Sequence, residues 1–239
     1  MPDTITRRPG LGNTGRQPAN LPRQRWLPSA ALLTAMHLTG LAGLNWPPTQ
    51  PYFLLLVPLN LVATLALVLL AHQDFTRPFL AFCLLTFLTG FFAEVVGVQT
   101  GLLFGNYAYG ETLGMKIFDV PLVLGCNWLT LIYCTGVIAD KYVNIKWLKP
   151  VAASVLMVLI DILIEPVAMR LDFWAWQHDT VPLQNYAGWF GVSLFLQVLF
   201  QRMVPHHHNP SRHNPLAGLA YAVQFAFFMG CNLIHWLNQ

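Results

Sequence analysis

Residues 52–71, YFLLLVPLNLVATLALVLLA, indicate the class of fold, because this stretch contains no Asp, Glu, Lys or Arg. A helix that crosses the hydrocarbon core of a bilayer needs about 20 mostly apolar residues. The longer run 26–73 is also free of charged side chains, and Asn45-Trp46-Pro47-Pro48 interrupts it. The run therefore predicts two membrane-spanning helices, near 28–45 and 52–71.

The composition of the whole chain agrees with a lipid environment. Of the 239 residues, 55% are hydrophobic and 10% are charged, and the mean hydropathy is +0.51. A soluble domain carries roughly 25% charged residues, which form the solvated shell of its surface. These values exclude a disordered chain, a nucleic-acid-binding protein and an ordinary soluble enzyme.

Other apolar stretches, all after residue 77, predict five further spans. They lie near 78–98, 120–139, 148–168, 186–204 and 216–237. We therefore predict an all-α, polytopic integral membrane protein with about seven transmembrane helices. Two long connections at one side of the membrane are expected to fold back as re-entrant or lid-like segments.

The basic residues predict the orientation and the domain organisation. With a cytoplasmic N-terminus, all of the 13 Lys and Arg residues except Lys116 and Arg170 fall on the cytoplasmic side, as the positive-inside rule requires. We expect residues 1–25 to form a disordered basic cytoplasmic tail and residues 26–239 to form the membrane domain. The expected location is the cytoplasmic (inner) membrane, with the C-terminus outside.

Three carboxylates fall within the predicted spans, where acids are costly and mark a functional site. They are Glu94, Asp161 and Glu165. Asp161 and Glu165 are four residues apart and therefore share a helix face. A structural alternative is that each acid lies at the membrane interface or pairs with a base such as Arg170.

The connections at residues 99–118 and 169–185 resemble each other. Each connection follows an acid and carries an aromatic-Ala-aromatic triplet. After each triplet come Val-Pro-Leu, an Asn, and a Trp that lies seven residues after the proline. The candidate site residues in these two blocks are Tyr107, Tyr109, Asn127, Trp128, Trp174, Trp176, Asn185 and Trp189. The similarity predicts a parallel internal repeat of residues 78–139 and 148–204, with both blocks converging on one cavity.

Carboxylic acids, aromatic rings and amides in a cavity open to lipid suit acid chemistry on an alkene. Burial favours the protonated form of a carboxyl group, which can then donate its proton. Aromatic faces stabilise a developing cation by about 0.5–2 kcal/mol each. This set predicts protonation of an isoprenoid double bond to a tertiary carbocation and capture of water, without a cofactor or a metal.

The same residues resemble a known family. The stretch from Glu94 to Gly101, the triplet Tyr107-Ala-Tyr109, and the second block from Asp161 to Trp189 are similar to the carotenoid biosynthesis membrane proteins. That family includes carotenoid 1′,2′-hydratases of the bisanhydrobacterioruberin hydratase and γ-carotene hydratase type. The resemblance implies water addition to the terminal double bond of a ψ-end carotenoid such as lycopene or γ-carotene. The second block often reads Asp-Pro in the family, where this chain has Glu165-Pro166.

Within that chemistry, each candidate residue has an expected role. Asp161 is the first choice for the proton donor, with Glu165 and Glu94 as a partner acid or a water-positioning base. Asn127 and Asn185 are expected to orient water, and the six aromatic residues are expected to line the polyene channel. The expected partners are the carotenoid, the bilayer and other enzymes of the carotenoid pathway.

Two other functions remain open at this point. A membrane cyclase of the lycopene type would use the same proton and cation but would quench the cation with an internal alkene. A non-enzymatic carotenoid carrier or transporter would tolerate loss of the acids. Replacing Asp161 and Glu165 by their amides distinguishes an enzyme from a carrier.

Overall fold

The computed structural model describes residues 26–204 and 214–239, which form seven long helices and four short strands. The predicted tail at residues 1–25 lies outside the described residues. The helices are α1 (Leu27–Asn45), α2 (Gln50–Leu70), α3 (Arg77–Thr100), α4 (Val123–Tyr142), α5 (Leu148–Arg170), α6 (Leu183–Met203) and α7 (Pro215–Leu237). The all-α prediction is confirmed, and no predicted helix end is displaced by more than three residues.

Six of these helices are long and apolar enough to cross a membrane, and α6 falls below that standard of apolarity. The reason is a polar face on α6, which carries Asn185, Ser193 and Gln197 at intervals of four or eight residues. All three side chains are buried in the bundle. Residues at this spacing lie on one side of a helix, so the polar groups of α6 face protein.

The two long connections fold back over one end of the bundle, which we call the strand end. The strands are β1 (Tyr107–Tyr109), β2 (Lys116–Ile117), β3 (Val120–Pro121) and β4 (Trp174–Trp176). Strand β1 pairs with β4 in antiparallel register, and β2 pairs with β3. The aromatic-Ala-aromatic triplets of the two connections are therefore hydrogen-bonded to each other, with Ala108 opposite Ala175.

Helix α4 lies at the centre of the bundle and contacts α2, α3, α5, α6 and α7. Helices α3 to α6 form a closed ring of neighbours, because α3 also packs against α6. The first predicted repeat unit contains α3, three strands and α4, whereas the second contains α5, one strand and α6. The repeat itself stays a prediction.

Candidate active site

A small cavity lies between β1, β4 and the strand ends of α3, α4, α5 and α6. Its volume is about 20 Å³. A cavity needs roughly 10–15 Å³ to hold one water molecule, so this space suits one water. The cavity is lined by Glu94, Tyr107, Tyr109, Leu124, Asn127, Trp128, Ile164, Glu165, Trp174, Trp176, Asn185 and Trp189.

Glu94 of α3 is buried and is held by three donors. Its Oε2 accepts hydrogen bonds from the hydroxyls of Tyr107 at 2.6 Å and Tyr109 at 2.8 Å. Its Oε1 accepts one from Trp128 Nε1 at 2.8 Å. Burial, together with the neighbouring Glu94 carboxyl, raises the pKa of both tyrosines. The two phenols therefore stay protonated and available as donors.

Glu165 of α5 is held in a similar way by a different set of donors. Its Oε2 accepts hydrogen bonds from Trp174 Nε1 at 2.9 Å and Trp176 Nε1 at 2.8 Å. Its Oε1 accepts one from Asn185 Nδ2 at 3.0 Å. Indole and amide N–H groups only donate, whereas a phenol hydroxyl also accepts. The donors around Glu165 therefore favour the ionised carboxylate, while those around Glu94 tolerate either state.

Asp161 lies one turn deeper on α5 and is fully buried. Its Oδ2 accepts a hydrogen bond from Asn185 Nδ2 at 2.8 Å, and its Oδ1 has no hydrogen-bond partner among the described residues. Asp161 does not line the small cavity. It therefore reaches the cavity through Asn185, which bridges it to Glu165.

No described cation neutralises this cluster. The ion pairs among the described residues are Lys116–Glu111 and Lys149–Asp140. The guanidinium of Arg170 donates instead to backbone and side-chain oxygens, including those of α7, and does not pair with the buried acids. Three neighbouring carboxyl groups in an apolar interior cannot all be ionised, so the cluster retains at least one proton.

Aromatic rings form most of the wall around the carboxyl groups. The rings of Trp128 and Trp189 stack with their centroids 4.5 Å apart. Across the paired strands, Tyr107 lies against Trp176 with 5.0 Å between centroids. Such faces attract positive charge, which the carboxylates also favour. The site therefore suits a transient cation in an apolar setting.

A second, larger cavity of about 400 Å³ adjoins the small one and lies mainly between α1, α2 and α7. Its volume is within the range of about 300–1,000 Å³ found for ligand sites. The two cavities share the lining residues Leu124, Asn127, Ile164 and Trp174. Exposed Leu56 and Leu59 also line the large cavity, so an apolar ligand can enter it from lipid.

The structure brings together almost all of the residues that the sequence marked as candidates. Apart from Asp161, every one of them lines the small cavity. Sequence reasoning missed the large cavity, whose walls come from α1, α2 and α7. The available signal was a set of polar residues within those apolar helices: His37, Asn60, Thr64 and Gln224.

Comparisons with known proteins identify the family to which the chain belongs. The family described as "Carotenoid biosynthesis protein" matches residues 54–238. The bisanhydrobacterioruberin hydratase of Haloarcula japonica is 33% identical over 109 residues, which cover 40% of this chain and 36% of that relative. The match therefore spans about a third of the relative's length. No solved structure matches the chain.

Proposed function

Because the chain belongs to the carotenoid biosynthesis protein family, we propose that it is a carotenoid 1′,2′-hydratase. It adds water across the terminal double bond of a ψ-end carotenoid and yields a tertiary alcohol. The name of the relative from Haloarcula japonica supports a hydration reaction. The observation that carries the proposal is the one-water cavity, which two carboxyl groups line and which shares four lining residues with the large apolar cavity.

The large cavity holds the isoprenoid end, and its terminal double bond lies at the boundary formed by Asn127 and Trp174. The site carboxyls that line the small cavity are Glu94 and Glu165, and these two contact the reacting atoms. This placement changes the expected donor from Asp161 to Glu94, because Asp161 is separated from the cavity by Asn185.

In the first step, protonated Glu94 donates its proton to the less substituted carbon of the double bond. The π electrons form the new C–H bond, and the tertiary carbon becomes a cation. Glu94 is the better donor because its phenol partners, Tyr107 and Tyr109, accommodate both the acid and the carboxylate. The aromatic faces of Trp128 and Trp174 are placed to stabilise the cation, by about 0.5–2 kcal/mol each.

In the second step, the water of the small cavity attacks the cation and forms the C–O bond. The ionised Glu165 accepts the proton that this water releases, and the alcohol product is neutral. Asn127 lines both cavities, so its amide is placed to orient the water towards the substrate. A proton passed from Glu165 back to Glu94 completes the cycle, and no redox change occurs.

Asp161 acts in this scheme as a positioning residue. Its Oδ2 and the Oε1 of Glu165 accept from the same Asn185 amide nitrogen, at 2.8 Å and 3.0 Å. The bridge fixes the orientation of Asn185 and therefore of Glu165. A change at Asp161 is expected to alter the orientation of Glu165 while leaving the residues that line the cavity in place.

The chain is an integral membrane protein, and its helices suit a substrate that dissolves in the bilayer. We further propose that it resides in the cytoplasmic (inner) membrane with its N-terminus inside. The distribution of Lys and Arg supports this orientation. The strand end, with both cavities near it, would then face the outside.

The test is the pigment profile of a lycopene-producing bacterial host with and without the chain, by liquid chromatography and mass spectrometry. We expect a product heavier by one water with an unchanged chromophore, and growth in ¹⁸O-labelled water should place the label in that product. γ-Carotene should be supplied in a parallel culture, because its single ψ-end is also a suitable substrate.

Matched variants connect the product to the site. Glu94→Gln should abolish the hydrated product, whereas Glu111→Gln should not, because the Glu111 side chain is exposed and pairs with Lys116 at the surface. A product of unchanged mass with an altered spectrum would indicate a cyclase instead. Full hydration by Glu94→Gln would contradict the assigned donor, and unchanged pigments with both substrates would favour a carrier.

A further inference from the structure

The large cavity contains two buried polar side chains that the proposed reaction does not use. Thr64 of α2 is 2% exposed and Gln224 of α7 is 5% exposed, and both line the cavity. Thr64 Oγ1 and Gln224 Nε2 have no hydrogen-bond partner among the described residues. A polar atom buried in this way is costly unless a ligand or a water completes its hydrogen bonds.

Thr64 differs from three other threonines in these helices, and it differs from Thr86, whose hydroxyl is also without a partner among the described residues, in that it lines the large cavity. The hydroxyls of Thr39, Thr130 and Thr135 each donate to the backbone carbonyl four residues earlier. This local bond is the usual way for a threonine within an apolar helix to satisfy its hydroxyl. Thr64 makes no such bond, so its hydroxyl remains available to something inside the cavity.

Thr64 and Gln224 belong to α2 and α7, which contact each other, and neither residue lines the small cavity. The polar pair is therefore separate from the carboxyl groups of the candidate active site.

We propose that Thr64 and Gln224 form a hydrogen-bonding subsite for a hydroxyl or carbonyl oxygen of an isoprenoid ligand. The inference rests on the proposed function in one respect, since it places the reacting double bond at Asn127. Gln224 Nε2 donates to the ligand oxygen, and Thr64 Oγ1 donates or accepts according to whether that oxygen is a carbonyl or a hydroxyl. A pure hydrocarbon offers no partner to either atom.

The subsite suits an isoprenoid that carries both an alkene terminus and an oxygen function. A ψ-ended apocarotenal has both features, and a cavity of about 400 Å³ suits such a shortened isoprenoid.

The experiment compares the binding of two probes to the purified full chain in lipid nanodiscs. The first probe is a ψ-ended apocarotenal, and the second is the ψ-ended hydrocarbon of equal length. Quenching of tryptophan fluorescence reports binding, because Trp174 lines both cavities. We expect the aldehyde to bind about ten-fold more tightly and its absorption band to shift to longer wavelength on hydrogen bonding.

Variants distinguish the subsite from general packing. The double variant Thr64→Val with Gln224→Met keeps the volume but removes both polar groups, so the preference and the absorption shift should disappear. If the double variant does not fold, each single variant should reduce the preference. Thr39→Val is the matched control, because Thr39 lines the same cavity but its hydroxyl already bonds to the backbone. This control should keep the preference.

Two results would overturn the subsite. Equal binding of the two probes by the wild-type chain would mean that Thr64 and Gln224 hold a water or remain without a ligand. A preference that survives in both single variants or in the double variant would place the recognition elsewhere. Binding is measured without turnover, so a failed hydration assay with an intact preference would refute the proposed function alone.

Discussion

The substitution Glu165→Gln tests the proposed base most directly, because it keeps the size of the side chain and changes only its hydrogen-bonding capacity. Glu165 accepts from three N–H groups, those of Trp174, Trp176 and Asn185. A glutamine has one accepting oxygen and one NH₂ group that only donates. Its oxygen can face the two indoles, but its NH₂ group then faces the donor of Asn185.

Asn185 can reverse its amide to accept from the new glutamine, but it then loses its own bond to Asp161. In either arrangement at least one buried donor loses its acceptor, which costs about 1–3 kcal/mol of folding stability. The chemical loss is larger. General acid–base catalysis contributes typically about 10²–10⁴-fold, and the neutral amide cannot take a proton from water.

The assay is the initial rate of hydration in isolated membranes, normalised to the folded protein measured by size-exclusion chromatography in detergent. We expect a loss of about 10²–10⁴-fold with only a modest fall in folded protein. Glu165→Asp is the informative companion, because it keeps a carboxylate with a shorter reach and should retain partial activity. Wild-type turnover by Glu165→Gln, with Glu111→Gln also unaffected, would refute Glu165 as the base.

Three further predictions concern packing, the strands and pH. Gly90→Ala should lower both stability and activity, because the new methyl group would overlap the Trp128 side chain; thermal unfolding and the hydration rate measure the two losses. Gly110→Ala should displace β1 from β4, because its methyl group would overlap the backbone oxygen of Asp172, and faster proteolysis of this connection would report it. Burial lowers the pKa of His72 from 6.5, so the unfolded chain binds a proton that the folded chain excludes. Stability should therefore fall as the pH drops below about 6.5, and thermal unfolding of His72→Gln should lose that part of the pH dependence. An equal pH dependence in the variant would show that other groups cause it.

The seven helices and the candidate site residues could be predicted from the amino-acid sequence alone. Helix bounds were predictable because each span must match the thickness of a bilayer and satisfy its own backbone, which is a local requirement. Glu94, Glu165 and the aromatic triplets were conspicuous because acids are costly in lipid and because their order repeats along the chain. Even α6 was predicted as a helix, although it is less apolar than the other six.

The contacts among those residues depend on the tertiary structure and could not be predicted from the sequence. The pairing of β1 with β4 places the tyrosines on Glu94 and the tryptophans on Glu165, and the order of the sequence does not dictate which donor reaches which acid. The position of Asp161 behind Asn185 depends on the packing of α5 against α6. The large cavity needs α7 beside α1 and α2, segments far apart in the chain, because a cavity is a property of packed surfaces and not of any one helix.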